Sequence, residues 1–295
     1  MNVLLWTDDA ADPAFDPQLA HLKALGFDGV EVPVFALDPE PYARLGERLR
    51  AHGLRALALT ARGPESNPIA LDPATRDRGL RDSLAAVACA GALGAEILCG
   101  PFLQAPVTFT GAPPTDAERG WAVDVLRAMA AAADAYDMTL AVESLNHFEH
   151  SLANTTAQTA ELVRAAGHPR ARMMYDTFHA HMEEKDVAAA IRACADVLAY
   201  VHLSENDRST PGSGQVDWEA TFAALVEAGY DGWLTIEALG NEHPRLAADM
   251  RIWRHAYDTA DALAADGLAF ARARWAKATA AKAASSRGTS SPIGP

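Results

Sequence analysis

The chain has 295 residues, and its 39 acidic and 25 basic side chains give a formal net charge of −14. That charge argues against a protein that tracks nucleic-acid phosphates, because such surfaces need clustered Lys and Arg. A chain of this length suits one large α/β barrel or two ordinary domains, and no apolar run approaches the roughly 18 residues that cross a bilayer.

Short apolar runs alternate along the chain with longer amphipathic stretches rich in Ala and Leu, a pattern typical of repeated βα units. Eight strands are predicted, at Val3–Trp6, Gly29–Val34, Arg55–Thr60, Glu96–Cys99, Thr139–Glu143, Arg172–Tyr175, Leu198–Leu203 and Trp233–Glu237. Eight helices are predicted near residues 16–25, 39–52, 73–93, 115–136, 155–166, 184–195, 218–228 and 244–273. The pattern predicts a single (β/α)8 TIM barrel over residues 1–273.

A doubly wound parallel sheet is the alternative fold. It requires a glycine-rich phosphate turn after the first strand, but Thr7-Asp8-Asp9 follows Trp6 here. No linker composition interrupts residues 1–270. Residues 274–295 end in small and polar residues with a terminal proline, and we expect them to form a disordered tail.

The cysteines and the amino-terminal segment indicate the cellular compartment in which the protein is expected. Cys89, Cys99 and Cys194 form no CxxC pair, so we expect buried free thiols in a reducing environment. The segment MNVLLWTDDA has neither the basic region nor the long apolar stretch of a signal peptide. We therefore expect a cytoplasmic protein.

Four of the predicted strands end in a side chain that can bind a hard or borderline cation: Glu143, Asp176, His202 and Glu237. Their separations of 33, 26 and 35 residues are each close to one βα unit. Successive strands of a parallel barrel present their carboxyl ends to the same face, so the four side chains can converge. Three carboxylates and one imidazole favour Mn²⁺, Mg²⁺ or Co²⁺ over a thiolate-rich zinc site.

Each of these residues has an ordinary structural explanation when taken alone. A carboxylate at a strand end is more often a helix cap or part of an ion pair, and a strand histidine is more often a hydrogen-bonded core residue. Four at successive strand ends are harder to explain independently, because buried carboxylates are costly unless they are paired or bind a metal. The coincidence favours a metal site.

A second set of polar residues follows the same strands, where the substrate-contacting loops of a barrel lie. It includes Asn146, Glu149, His179, Glu205 and Arg208. For residues 183–186 we expect a solvated helix start, since acidic side chains favour the positive end of the helix dipole. On the last predicted helix, Trp253 is expected to be a core or a subunit-contact residue, and the core is the favoured assignment.

The segments VESLNHFE, YDTFHAHMEEKD, HLSENDRSTPGSGQVDW and GYDGWLTIE occur in this order and resemble the xylose isomerase-like TIM barrels. Within that family they are most similar to the ketose 3-epimerases, which act on D-tagatose, D-allulose and related free ketoses. The resemblance covers about residues 19–273.

That resemblance implies specific roles. It implies that Mn²⁺ or a similar divalent ion is bound by Glu143, Asp176, His202 and Glu237. Glu143 and Glu237 would also transfer protons, and the substrate would be contacted by Glu149, His179 and Arg208. The expected partner is a small sugar substrate, and no nucleic-acid or membrane partner is expected. The protein is expected to form a homo-oligomer, a dimer or a tetramer.

The expected reaction is metal-dependent epimerisation of a free ketose at C3 through a cis-enediolate. An aldose–ketose isomerase and an inosose-type dehydratase are alternatives on the same site. A nuclease of this fold would need more histidines and a basic face, and a sugar-binding sensor would need no paired carboxylates. Residues 7–9 and 99–111 depart from the tagatose epimerases, so we expect several short or C5–C6 ketoses or keto-sugar derivatives to be accepted.

Overall fold

The computed structural model describes residues 1–242 and 244–288 of the chain. Seven strands lie within them: β1 (Gly29–Pro33), β2 (Arg55–Leu59), β3 (Ile97–Gly100), β4 (Thr139–Val142), β5 (Ala171–Asp176), β6 (Leu198–Leu203) and β7 (Trp233–Ile236). The α-helices in the same residues are α1 (Asp16–Leu25), α2 (Pro39–Ala51), α3 (Pro73–Leu93), α4 (Asp116–Ala133), α5 (Thr156–Ala166), α6 (Thr177–Glu183), α7 (Val187–Cys194), α8 (Trp218–Glu227), α9 (Pro244–Met250) and α10 (Ala260–Gly288).

The strands form one parallel sheet in which β1 to β7 follow one another in chain order. The first two residues bridge the gap between β7 and β1. The Asn2 N–H donates to the Ile236 carbonyl at 3.0 Å, and the Glu31 N–H donates to the Met1 carbonyl at 2.9 Å. The sheet is therefore a nearly closed TIM barrel surrounded by helices, and the predicted fold class is confirmed.

The strand predicted at Val3–Trp6 is wrong. Val3–Leu5 forms a 3-10 turn, and the Asn2 side chain accepts the Leu4 N–H at 2.8 Å. Met1 and Asn2 take the place of an eighth strand instead. The run VLLW is apolar because Val3, Leu4 and Leu5 are buried, and burial alone cannot distinguish a short strand from another buried element.

Side chains alternate between the interior of the barrel and the layer of surrounding helices. The interior contains Leu57, Leu59, Ile97, Met174 and Tyr200. The helices pack against the other side of the same strands, through residues such as Val30, Val32, Ala58 and Leu98. The buried cysteines are free, as predicted.

The carboxyl-terminal region differs from its prediction. Instead of one helix over 244–273, α9 ends at Met250 and α10 begins at Ala260. The loop between them leaves Trp253 71% exposed, so its assignment to the core is wrong. This loop places the indole outside the packed layer that α10 forms on the barrel.

The expected tail also differs over its first part, because α10 continues past residue 273 to Gly288. Ala-rich segments have high helix propensity, and the added turns pack on α8. The Trp275 ring meets Phe222 edge-on, and the Lys282 ammonium donates to the Val226 carbonyl at 2.6 Å. Residues 289–295 lie outside the described part of the chain. Among the described helices, none combines the length and apolar character that a membrane crossing requires.

Candidate active site

The four strand-end residues meet at the carboxyl end of the barrel. Glu143 follows β4, Asp176 ends β5, His202 lies in β6 and Glu237 follows β7. Each offers a ligand atom within 4.8 Å of those of the other three, and all four are buried. Asp176 and His202 are paired in the β5–β6 register, which places them side by side. The structure thus brings together every residue that was predicted to bind the metal.

Two atoms of this cluster are buried without a hydrogen-bond partner among the described residues. They are Asp176 Oδ2 and His202 Nδ1, which are 3.6 Å apart. Glu237 Oε1 lies 3.5 Å from the same nitrogen. Buried polar atoms normally have partners, and one cation bound between these atoms would supply a partner to both. Carboxylate oxygens with one imidazole nitrogen fit Mn²⁺ or a similar divalent ion.

The electrostatics of the cluster also favour a cation. Burial and the carboxylates of Glu237 and Asp176 hold the pKa of Glu143 well above its usual range. Burial likewise raises the pKa of Asp176, although the neighbouring His202 and Arg208 oppose the shift. Burial would raise the pKa of Glu237 too, but His202 and Arg208 outweigh it and lower that pKa. With its three carboxylates ionised and His202 neutral, the cluster faces one guanidinium and carries an excess of negative charge that a divalent ion would balance.

Arg208 borders the cluster on the side of Glu237. Its Nη1 donates to Glu237 Oε2 at 2.6 Å and to Ser204 Oγ at 2.9 Å. The guanidinium lies over the Phe178 ring, 3.6 Å from its centroid. The backbone of Arg208 is left-handed, with φ of 64°, a conformation that costs a non-glycine residue about 1–2 kcal/mol. These side-chain contacts hold the guanidinium at the edge of the site.

His179 borders the cluster on the side of Glu143, with 3.7 Å between His179 Nε2 and Glu143 Oε1. The Asn146 backbone N–H donates to His179 Nδ1 at 3.0 Å, so that nitrogen carries no proton. Burial and the nearby charge of Arg208 lower the pKa of His179 well below its usual range. The ring is therefore neutral, and its Nε2–H faces the site as a hydrogen-bond donor.

Glu149, also predicted to contact substrate, does not join the four-residue cluster. It is partly exposed in the loop after β4, and its Oε1 accepts a hydrogen bond from Asn146 Nδ2 at 2.8 Å. Asn146 in turn contacts His179 Nδ1. Glu149 is thus connected to the cluster through these two residues.

The family model of the xylose isomerase-like TIM barrels matches residues 19–273. The chain belongs to this family. It is 33% identical over 258 residues to the protein named "probable ketose 3-epimerase" of Synechocystis sp., covering 85% of this chain and 87% of that one. It is 31% identical to the L-ribulose 3-epimerase of Mesorhizobium japonicum, covering 92% of this chain and 91% of that one.

A solved structure of an L-ribulose 3-epimerase superposes with a TM-score of 0.90 at 28% identity, covering all of this chain (100%) and 98% of the other. A D-allulose 3-epimerase from Methylomonas sp., solved with D-allulose, gives a TM-score of 0.86 at 28% identity over 92% of this chain and 95% of that one. The family members it resembles are thus enzymes of the isomerase class.

The loop that carries Arg208 in this family member is organised around Glu205. One Glu205 oxygen accepts backbone N–H groups of Asn206 and Val216, at 3.0 and 3.1 Å. The other accepts the Gly212 N–H at 2.8 Å and Trp218 Nε1–H at 3.0 Å. Burial would raise the pKa of Glu205, but these hydrogen bonds outweigh it and lower the pKa. The carboxylate therefore joins both ends of the loop.

Replacing Glu205 should destabilise the protein because four donors would lose their acceptor. We expect Glu205→Ala to lower the free energy of unfolding by at least about 3 kcal/mol, since hydrogen bonds to charged groups contribute roughly 1.5–3 kcal/mol each and do not add fully. Urea unfolding measures the change. Glu205→Gln keeps one carbonyl oxygen and should lose about half as much. An alanine variant as stable as the parent would contradict this role.

Sequence reasoning missed one buried residue that contacts the four-residue cluster. Glu31 was not singled out, although a carboxylate inside the buried strand GVEVP was an available signal. It is fully buried and lies 2.9 Å from His202 Nε2.

The solvated helix start expected at 183–186 is wrong in part. Glu183 contacts His147 at 2.6 Å, and Glu184 accepts the Thr156 N–H at 2.8 Å.

Proposed function

We propose that this protein is a divalent-metal-dependent ketose 3-epimerase, which inverts C3 of a free ketose. The observation that carries the proposal is the placement of two glutamates in the cluster. Glu143 follows β4 and Glu237 follows β7, so they flank Asp176 and His202 in strand order. The relatives named as 3-epimerases of ketoses support the same reaction.

Epimerisation at C3 needs a base on each face of the reacting carbon. The C3 proton is acidic because it lies next to the C2 carbonyl, and its removal leaves a cis-enediolate. Return of a proton to the opposite face inverts C3. One group therefore acts as the base that takes the proton, and a second group, on the other face, acts as the acid that supplies a proton. A divalent ion, when bound, would stabilise the negative charge that develops on the oxygens at C2 and C3.

The proposed roles follow from these contacts. Mn²⁺, with Co²⁺ or Mg²⁺ as alternatives, would be held by Glu143, Asp176, His202 and Glu237. Glu143 and Glu237 would transfer the C3 proton. His179 would donate its Nε2–H, and Arg208 its guanidinium N–H groups, to substrate oxygens. Glu149 would accept a substrate hydroxyl at the edge of the site.

A panel of free ketoses incubated with Mn²⁺-loaded protein tests the reaction, with products separated by chromatography. A 3-epimer as the product supports the proposal. An aldose would indicate an isomerase, and loss of water would indicate a dehydratase. Binding of a ketose with no turnover would indicate a sensor and contradict the proposal.

The same panel tests specificity. We expect turnover of several short or C5–C6 ketoses or keto-sugar derivatives, because residues 7–9 and 99–111 depart from the tagatose epimerase pattern. Most of these residues follow the Val3–Leu5 turn or the end of β3, where the distal part of the sugar is expected to lie. The substrate specificity is measured as kcat/KM for L-ribulose, D-allulose, D-fructose and D-tagatose. A sharp preference for D-tagatose over every other ketose would contradict this expectation.

A further inference from the structure

A second group of buried polar residues lies inside the barrel next to the proposed metal site. At its centre is Glu31 of β1, which is fully buried. Its Oε2 lies 2.9 Å from His202 Nε2 and accepts hydrogen bonds from Cys99 Sγ at 3.0 Å and Tyr200 OH at 2.5 Å. Its Oε1 accepts a hydrogen bond from Asn2 Nδ2 at 2.7 Å. One carboxylate thus faces four donors.

Glu31, Cys99 and His202 are close enough together to hold a metal ion themselves. Their facing atoms, however, already form hydrogen bonds with one another. The neighbouring cluster differs, because its Asp176 Oδ2 and His202 Nδ1 are buried with no such partner within the described chain. The contrast indicates a hydrogen-bonded support on one side of His202 and a cation site on its other side.

We propose that Glu31 is a positioning residue for the metal site, an inference that rests on the proposed function. By accepting Nε2–H, Glu31 selects the His202 tautomer in which Nδ1 offers its lone pair to the metal. That nitrogen faces Asp176 and Glu237, at 3.6 and 3.5 Å. A metal-bound imidazole whose second nitrogen donates to a carboxylate is held in orientation and is a stronger ligand.

The same carboxylate reaches a second proposed ligand through Asn2. The Asn2 amide donates to Glu31 Oε1 at 2.7 Å and also lies 3.3 Å from Glu237 Oε1. The Asn2 backbone N–H donates to the carbonyl of Ile236, the residue before Glu237. Glu31 therefore orients His202 directly and Glu237 indirectly, and the residue that closes the barrel is part of the support.

The Mn²⁺ dissociation constant of metal-free protein tests the proposal, measured by the electron paramagnetic resonance signal of free Mn²⁺. We expect Glu31→Ala to weaken binding about 10–100-fold, the usual effect of losing such a partner. Glu31→Gln keeps an oxygen that can accept Nε2–H, so it should bind Mn²⁺ within about threefold of the parent. Circular dichroism and the melting temperature establish that each variant is folded.

Tyr200→Phe and Cys99→Ala are matched controls, because each removes a donor to Glu31 Oε2 and leaves the His202 contact intact. We expect both to bind Mn²⁺ within about threefold of the parent. Equal weakening in these controls and in Glu31→Ala would indicate a general packing effect and overturn the proposal. So would unchanged affinity in Glu31→Ala. If the parent itself binds no metal, the proposed function fails instead.

A spectroscopic measurement covers the case in which Glu31→Ala does not fold. Nitrogen-15 NMR of the histidines in Mg²⁺-loaded parent protein reports which ring nitrogen of His202 carries the proton. We expect the proton on Nε2, with the signal assigned by its loss in His202→Asn. A proton on Nδ1 in the loaded protein would overturn the proposal.

Discussion

Metal-loaded Glu237→Gln and Glu143→Gln proteins are each expected to lose epimerisation in both directions. Gln keeps the size of the side chain but cannot take a proton, and every turnover needs both faces of C3. General-base catalysis contributes about 10²–10⁴-fold, so the loss should be of that order. Chromatographic assays in both directions measure it. Metal content must be measured in parallel, because Glu237 also contacts His202 and Arg208.

Each variant should keep one half of the proton-transfer chemistry. In deuterated water, the glutamate that remains can still exchange the C3 proton of the one epimer that it faces. We expect Glu237→Gln and Glu143→Gln to exchange opposite epimers, as detected by proton NMR. Glu219→Gln is a matched control, since Glu219 lies exposed on α8 beside Lys277. Near-normal epimerisation by either metal-loaded variant would exclude the two-base mechanism.

Removing the metal is expected to abolish activity, and Mn²⁺ or Co²⁺ should restore it. Because the four proposed ligands come together only in the folded barrel, metal should also stabilise the protein. At a free concentration 100 times the dissociation constant, the gain in unfolding free energy is about 2.7 kcal/mol. Differential scanning calorimetry with and without Mn²⁺ measures this change. Full activity in exhaustively demetallated protein would contradict the metal dependence.

Two histidine variants separate metal binding from substrate contact. His202→Ala should weaken Mn²⁺ binding more than His179→Ala, because of these two histidines His202 is the one with a buried nitrogen that has no hydrogen-bond partner in the described residues. His179 Nδ1 already accepts the Asn146 N–H. Titration calorimetry of both variants measures the difference. Equal weakening would argue that His179 also binds the metal.

The affinity for Mn²⁺ should fall as the pH is lowered. Burial would lower the pKa of His202, but Glu31 and Glu237 outweigh it and raise that pKa, and the pKa of Glu143 is also raised. Both groups therefore hold protons in the metal-free protein that the metal must displace. Proton release on binding, measured by calorimetry in buffers of different ionisation enthalpy, checks this expectation. Binding without proton release would contradict it.

The candidate site was largely predictable because a parallel barrel makes sequence spacing informative. Each βα unit returns the chain to the same face, so polar residues ending successive apolar strands must lie near one another. Glu143, Asp176, His202 and Glu237 converge for this reason. The alternation of apolar and amphipathic runs likewise predicts the barrel, whatever the details of its closure.

The sequence by itself therefore determined the fold class and the four-residue cluster. Only the tertiary structure decided how the barrel closes and what supports His202. Asn2, Glu31 and Tyr200 meet only because the sheet curves until β7 and β1 approach, and alternation along a strand shows that a residue faces inward without showing what it touches. The exposure of Trp253 was also decided by the tertiary structure. Trp253 lies in the loop between α9 and α10, and the sequence pattern did not show that the helix is interrupted there.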